Sequence, residues 1–285
     1  MYGKSKLNMF RKAGIVMHKD KNFFLWKIIL SIASFVIIIL SKSEINWDDF
    51  SKNYFDGVLA KEIIYDLSVG IFSAMILIWF IDEINERIQA KKQREERVLK
   101  IKRADRLLQP YIERYKLFLY CLITPIENRN FSDYEIQQDF LLKDMRDLYK
   151  TTLILSEGIF NTSIGCFIKA ESELKDKIEN MIMEVELLDY PELQESLVEF
   201  VETSLKYNEK DAWLKAQTTR LSGTQTLAEM AVDILQNNAD DWYIEVQNGK
   251  TMNGNIVLTY FALYEMIKGE YAALSKYENE INKVN

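Results

Sequence analysis

The sequence predicts an all-α membrane protein, in which a two-helix transmembrane hairpin continues through a stalk helix into a cytoplasmic antiparallel helical bundle. Two apolar stretches, Phe23 to Leu40 and Ile63 to Ile81, predict the hairpin. Each is long enough for a bilayer core of about 30 Å, which a helix of roughly 20 apolar residues crosses. Only three prolines and ten glycines occur in 285 residues, so few positions interrupt a helix.

The distribution of positive charge predicts the orientation of the hairpin. Residues 1–22 form a basic arm with six Lys and Arg against one Asp, whereas the connector, residues 41–62, is acidic. Cation-rich flanks stay in the cytoplasm, and a second cation-rich stretch, residues 87–106, follows the second span. We therefore expect residues 23–81 to lie in the bacterial inner membrane, with an external connector and both termini in the cytoplasm.

The N-terminal region raises two further questions, whether the first span is a cleaved signal peptide and what the basic arm does. A cleaved signal peptide is disfavoured, because the sequence Leu40-Ser41-Lys42-Ser43 offers no cleavage site with small residues. The basic arm is loosely amphipathic, with apolar residues at Leu7, Phe10, Ile15 and Met17. It fits either an arm lying on the anionic inner leaflet or a simple topology signal.

Residues 82–109 predict a charged stalk helix that continues directly from the second span. This segment contains neither glycine nor proline, so one helix is expected from Glu62 to Gln109, which Pro110 ends or kinks. Residues 110–285 then form the acidic helical domain, with 17 Lys and Arg against 30 Asp and Glu. This excess of negative charge argues against non-specific nucleic-acid binding by the domain. A solvated stalk surface is the favoured interpretation of the cationic stretch in residues 87–106, which is also the only place in the sequence where a nucleic acid could dock.

Apolar periodicity predicts the helices of the acidic domain. One is expected between Tyr134 and Glu157, and a clearer one over Phe167 to Leu188. Asp189 is expected to cap the next helix, which begins at Pro191 and ends at Asn208. Further helices are expected over Glu209 to Gln236, with Gly223 as a candidate break, and over Asn255 to Ile281. The dipeptides Asn248-Gly249 and Asn253-Gly254 predict turns and leave a small β-hairpin open.

Catalytic and metal-binding signatures are missing from the sequence. The only histidine is His18 in the basic arm, and no phosphate-binding loop, dinucleotide-binding glycine motif or CxxC pair occurs. Acidic residues could still bind a metal, but for the carboxylates Asp139, Asp144, Asp147, Asp240 and Asp241 a solvated helix surface is the favoured interpretation. We therefore predict no enzyme activity, no cofactor, no metal and no small-molecule substrate. Cys121 and Cys166 lie in apolar surroundings and are predicted to be buried, reduced thiols.

Small and polar residues within the two apolar stretches form the candidate functional stripes. Lys27, Ser31 and Ser34 share one face of the first predicted helix, and Asp66, Gly70 and Ser73 share one face of the second. Such faces allow close approach of helices and hydrogen bonds in lipid. The predicted topology places Lys27 and Asp66 near opposite membrane surfaces, so they should not meet. Both residues fit interfacial anchoring, and the alternative is that several copies line a water-filled passage through these stripes.

The second span and its charged continuation carry a resemblance to a known group of proteins. The run from Asp66 to Arg87, DLSVGIFSAMILIWFIDEINER, follows a short connector and leads into a charged helix. This layout, over Phe23 to about Arg106, resembles small bacterial two-helix membrane effectors of anti-phage defence systems, including those encoded beside retrons. The resemblance implies abortive infection: an inhibitory partner holds the protein inactive, and its release damages the inner membrane. In retron systems that partner would be a ribonucleoprotein, the reverse transcriptase with its RNA-linked DNA.

Two classes of function therefore compete at the level of the sequence. A toxic membrane effector would act on the lipid bilayer, and a pore would require a homo-oligomer because two helices cannot enclose one. A membrane-anchored scaffold or sensor would use the spans only as a tether and the helical domain for protein interaction. The two classes differ in whether the function of the protein depends on the stripe residues.

Overall fold

The computed structural model describes residues 26–43, 57–154, 161–220, 223–252 and 254–284. These residues form an all-helical protein without a β-strand; two isolated bridges, Thr151 with Thr162 and Arg220 with Thr226, are its only β pairings. The chain divides into two compact units, residues 1–93 and residues 94–285. The predicted basic arm, including His18, and most of the predicted external connector lie outside the described residues.

The unit of residues 1–93, named here the membrane-proximal unit after its predicted location, contains two apolar helices in its described part. The first, α1, covers residues 26–42 of the described chain. The second, α2, runs from Gly57 to Ile123 and continues into the second unit. The predicted continuity of the second span with the stalk is confirmed, because no break occurs between Glu62 and Gln109.

Pro110 is expected either to end the stalk helix after Gln109 or to kink it, and the helix does not end there. Pro110 lies inside α2, although a proline in a helix removes a hydrogen bond and costs about 3 kcal/mol. Leu108, Ile112 and Tyr115 surround it in sequence and are fully buried in the core. Burial of each such side chain is worth about 1.5–3 kcal/mol, so packing on both sides of Pro110 outweighs its cost.

Six further α-helices are described in the helical domain. They are α3 (Ser163–Glu184), α4 (Pro191–Lys206), α5 (Lys210–Lys215), α6 (Leu227–Asn237), α7 (Ala239–Gln247) and α8 (Val257–Ile281). Short 3₁₀ helices cover Ile126–Asn128 and Leu142–Asp147. Pro191 is the first residue of α4 as predicted, but Tyr190 stands at the cap position, and Asp189 instead forms an ion pair with Arg97.

One core fills the helical domain, and α2, α3, α4 and α8 contribute most of it. Its largest fully buried side chains include Trp213, Tyr115, Tyr260, Phe167 and Phe200. Tyr115 packs its ring against both phenylalanines, with centroids 5.4 Å from Phe167 and 5.7 Å from Phe200. Helices α4 and α8 approach closely at Gly269, where an added Cβ would lie 2.8 Å from Cγ2 of Thr203.

The helix expected between Tyr134 and Glu157 is not formed in the described part of that range. Only the 3₁₀ helix Leu142–Asp147 is present. Acidic side chains take up the backbone N–H groups here: Asp144 accepts from Leu141, and Asp240 accepts from Leu142 and Lys143. Side chains that bond nearby backbone in this way favour irregular structure over a helix.

The glycine turns are confirmed, but the described residues around them do not form a hairpin. Gly249 and Gly254 have φ angles of +92° and +74°, which glycine adopts without steric cost. The residues before them form the helix α7. At Gly223, where φ is +143°, the predicted break is confirmed, and it separates α5 from α6.

Candidate functional site

Three side-chain contacts join α1 to α2 within the membrane-proximal unit. Lys27 forms an ion pair with Asp82. The rings of Phe35 and Phe72 lie 5.7 Å apart between centroids, and the Lys42 ammonium group lies 5.5 Å from the centre of the Tyr65 ring. Lys27 thus binds an acid at the far end of the second apolar stretch from Asp66, in agreement with the expected separation.

Burial in this unit is inverted relative to a water-soluble protein. The buried side chains of described residues 26–93 are three serines, Ser34, Ser41 and Ser68, at 5%, 2% and 5% exposure, together with Met75. Large apolar side chains point outward instead, with Leu77 at 59% and Phe80 at 65% exposure. Ser31 and Ser41 donate to the carbonyls of Lys27 and Ile37, at 2.9 and 2.7 Å, so each hydroxyl is satisfied within its own helix.

The structure brings together only half of the predicted stripe residues. Lys27, Ser31 and Ser34 lie on the face of α1 that packs against α2. Asp66, Gly70 and Ser73 are exposed, and no atom would lie within 4 Å of a Cβ added at Gly70. Within one chain these three residues therefore do not pack against α1.

Sequence reasoning missed the face of α2 that contacts α1. Ser68, Phe72, Met75 and Asp82 form it. Asp82 could have been found, because it is the first acid after the second apolar stretch and so lies at the same predicted membrane surface as Lys27. The other three carry no distinguishing signal in a stretch where nearly every position is apolar or small.

Among the described residues, one helix is long and apolar enough to cross a membrane by length and composition, and it is α2. The described part of α1, residues 26–42, is 17 residues long and contains no acidic residue.

A buried polar cluster in the helical domain is the second candidate site. The carboxyl groups of Glu171 on α3 and Glu270 on α8 are both fully buried. Lys210 of α5 forms an ion pair with Glu171, and Ser204 of α4 donates a hydrogen bond to it. The hydroxyl of Tyr115 on α2 donates to Glu270 at 2.9 Å. Five helices thus meet at one set of polar side chains.

The electrostatics of this cluster favour a neutral Glu270. Burial, and secondly the negative charge of Glu171, raise the pKa of the Glu270 carboxyl well above its ordinary value. The Tyr115 hydroxyl and the Lys210 ammonium act in the opposite direction but do not cancel the shift. Burial, and secondly the neighbouring Glu270, raise the pKa of the Tyr115 hydroxyl well above its ordinary value. The cluster therefore combines a buried ion pair with a buried carboxyl group whose pKa favours the protonated form.

A half-buried arginine organises the loop that follows α2. The Arg129 guanidinium donates to the carbonyls of Cys121, Thr124 and Thr151, and to the Ser163 hydroxyl. Burial raises the pKa of the Cys121 thiol to about 11 even though Arg129 acts to lower it. Cys121 and Cys166 are both buried, as predicted, and are not joined in a disulfide.

Three of the five carboxylates that the sequence left open for a metal have backbone partners. Asp144 and Asp240 accept backbone N–H groups as described above, and Asp147 accepts from Ile126 at 2.9 Å and pairs with Lys150. Over the described ranges, no group of three or more His, Cys, Asp or Glu side chains is placed to hold a metal ion.

Comparison of the chain with protein-family models, with curated proteins and with solved structures finds no match.

Proposed function

We propose that this protein is a membrane-embedded effector that permeabilises the bacterial inner membrane when an inhibitory partner releases it. The inverted burial of the membrane-proximal unit carries the proposal. Large apolar side chains that face outward cost about 25 cal/mol per Å² in water, and lipid removes this cost. Serines that face inward allow the close helix contact that is typical of membrane interiors.

The contacts between α1 and α2 support a transmembrane hairpin. Residue pairs 27 and 82, 35 and 72, and 42 and 65 have nearly constant sums, as two antiparallel helices require. With the positive charge of the N-terminal arm on the cytoplasmic side, both termini are cytoplasmic. Lys27 and Asp82 then pair at the inner surface, where their charges reach the headgroups.

The continuity of α2 supports control of the spans by the helical domain. The same helix carries the exposed residues Asp66 and Gly70 and the buried cluster residue Tyr115. A partner that binds the helical domain would act on the spans through this continuous helix. The defence role and the retron ribonucleoprotein as the partner rest on the resemblance of residues 23 to about 106, and the proposal assigns no catalytic reaction.

The proposal is tested by expressing the chain alone in bacteria and following membrane potential and entry of a membrane-impermeant dye. We expect the wild type to depolarise the cells and admit the dye. Asp66→Leu and Gly70→Leu should each relieve the effect, because they remove the polar and small side chains of the exposed stripe. Ile71→Leu, at an adjacent exposed position, is the matched control and should stay toxic.

The effector proposal would be refuted if high expression of the wild type left the membrane potential unchanged and admitted no dye. The scaffold function would then be favoured, since residues 94–285 form a compact unit with a core of their own. As a scaffold, the protein should still bind its protein partner when an unrelated two-helix anchor replaces residues 23–81.

A further inference from the structure

The face of α2 opposite α1 carries a regular heptad pattern. Its apolar and small residues are spaced alternately four and three residues apart, which is the spacing of a coiled-coil seam. These residues, here named the α2 seam, are Ile63, Leu67, Gly70, Ala74, Leu77, Ile81, Ile84 and Ile88. All eight are exposed in the single chain.

The α2 seam and the α1 contact do not compete for the same surface. At 100° per residue, the seam lies about 160° around the helix from the face formed by Ser68, Phe72 and Met75. Helix α1 can therefore stay in place while a second helix packs on the seam. Gly70 and Ala74 would allow that helix to approach closely.

The two C-terminal positions of the seam distinguish it from an ordinary lipid-facing surface. Ile84 and Ile88 follow the charged pair Asp82 and Glu83, and they are the only large apolar residues in the charged stretch of residues 82–97. They are 41% and 47% exposed. Ile88 lies about 9 Å along the helix from Asp82, at 1.5 Å per residue, where lipid tails no longer cover it.

We infer that the α2 seam binds the α2 seam of a second copy of this chain, in a parallel and in-register pair. The occupant is a second copy because all copies insert with the same orientation, so identical seams meet parallel and at the same height. The pattern is then self-complementary along its whole length: the small residues face each other within the membrane, and Ile84 and Ile88 cover each other beyond it. The next seam positions, Lys91 and Glu95, are charged and end the apolar contact.

This inference explains the place of the exposed stripe that sequence analysis selected. Gly70 belongs to the seam, and Asp66 and Ser73 lie along one edge of it, each at the heptad position before a seam residue. A parallel pair has its two-fold axis along the helices, so Asp66 of the two copies would lie at the same height on opposite edges of the interface. The inference rests on the proposed insertion of α2 in the membrane, but not on the proposed permeabilisation.

Disulfide cross-linking of the full-length chain in bacterial membranes tests the inference. Ile84→Cys and Ile88→Cys place a thiol on the seam, and Glu86→Cys and Ala90→Cys are matched controls at exposed positions on the opposite face of the same two turns. The wild type measures the background, because both native cysteines are buried. A mild oxidant such as copper phenanthroline is added, and cross-linked chains are separated under non-reducing conditions.

We expect the seam variants to form a species near twice the 33.6 kDa chain mass. Their yield should exceed that of the controls by about tenfold or more, because a disulfide needs Cα atoms within roughly 7 Å. Equal yields at all four positions, no product from the seam variants, or a product that contains a different protein would each overturn the inference.

Dye entry measured in the same cells separates this inference from the proposed function. Toxicity without seam cross-links refutes the α2 pair and leaves the effector proposal standing. Seam cross-links without toxicity refute the effector proposal and leave the pair standing.

Discussion

The membrane-proximal unit and the helical domain sort their side chains in opposite ways. In described residues 26–93, serines face inward and large apolar side chains such as Leu77 and Phe80 face outward. In residues 94–285, Trp213, Phe167 and Phe200 are fully buried, while most charged residues are exposed. Both units are helical, and the contrast supports the proposal that the first unit lies in lipid and the second in water.

The largest expected effect is a difference in the free energy of unfolding between two variants, one at a core aromatic residue and one at an outward-facing aromatic residue. Phe200→Ala should lower the free energy of unfolding of the helical domain by about 3–5 kcal/mol, because it opens a cavity beside Tyr115. Phe80→Ala on α2 should leave it unchanged, because Phe80 contributes nothing to that core. Denaturant unfolding of the full chain in detergent micelles measures both. A similar loss in the two variants would contradict the comparison.

The next effect concerns the ion pair between Lys210 and Glu171, which lies where helices of the helical domain meet. Lys210→Met removes the cation beside the fully buried Glu171 carboxylate and should destabilise the domain by about 3 kcal/mol, since an unpaired buried charge remains. The double change Lys210→Met with Glu171→Gln should recover most of this loss. Thermal unfolding of the same preparations is the measurement. No recovery in the double variant would mean that Lys210 acts through packing alone.

A smaller effect distinguishes two helical glycines, Gly269 in the helical domain and Gly70 in the membrane-proximal unit. Gly269→Ala should destabilise the helical domain by about 1–3 kcal/mol, because the new methyl group would overlap Thr203. Gly70→Ala should not destabilise it, since the space around Gly70 is open within one chain. Thr203→Ala combined with Gly269→Ala is the control for the overlap and should restore the melting temperature. If Gly70→Ala were the more damaging change, the contrast between the units would fail.

The smallest expected effect is the pH dependence from Glu270. The folded chain raises the pKa of this carboxyl above its ordinary value of 4.5, so the folded state holds a proton that the unfolded state releases. The contribution of Glu270 to stability is therefore full below pH 4.5 and is lost as the pH rises through the folded pKa. Glu270→Gln keeps the site neutral and should flatten the decline of melting temperature with pH above 4.5. An equally steep decline in Glu270→Gln and in the wild type would assign it to other groups.

Sequence patterns predicted the helical class and the continuity of α2 because both depend on local properties. The length of an apolar stretch and the absence of glycine and proline influence only a few turns of one helix. The sequence predictions were wrong where residues far away in the sequence pack against a segment or form hydrogen bonds with it. Pro110 stays helical because Leu108, Ile112 and Tyr115 are buried around it, and the segment near Leu142 is not α-helical because Asp240, almost a hundred residues away, accepts its N–H groups.

The candidate site was predicted in part for the same reason. Lys27, Ser31 and Ser34 could be selected because polar residues on one face of an apolar helix need a protein neighbour. The contact face of α2 could not be selected, because Ser68, Phe72 and Met75 look like any other positions of that stretch. The buried pair Glu171 and Glu270 was missed altogether, since each glutamate stands in a helix with many exposed acids.

By itself, the sequence determined that the chain is helical, that its second apolar stretch continues without a break into a charged helix, and that its charge is divided between a basic N-terminal part and an acidic domain. These properties follow from residue types and their local order. Tertiary structure alone decided which face of α2 packs on α1 and which stays exposed as the seam. It also decided which acidic side chains are buried away from solvent. Burial depends on contacts between residues that are far apart in the sequence, and a local sequence pattern contains no information on those contacts.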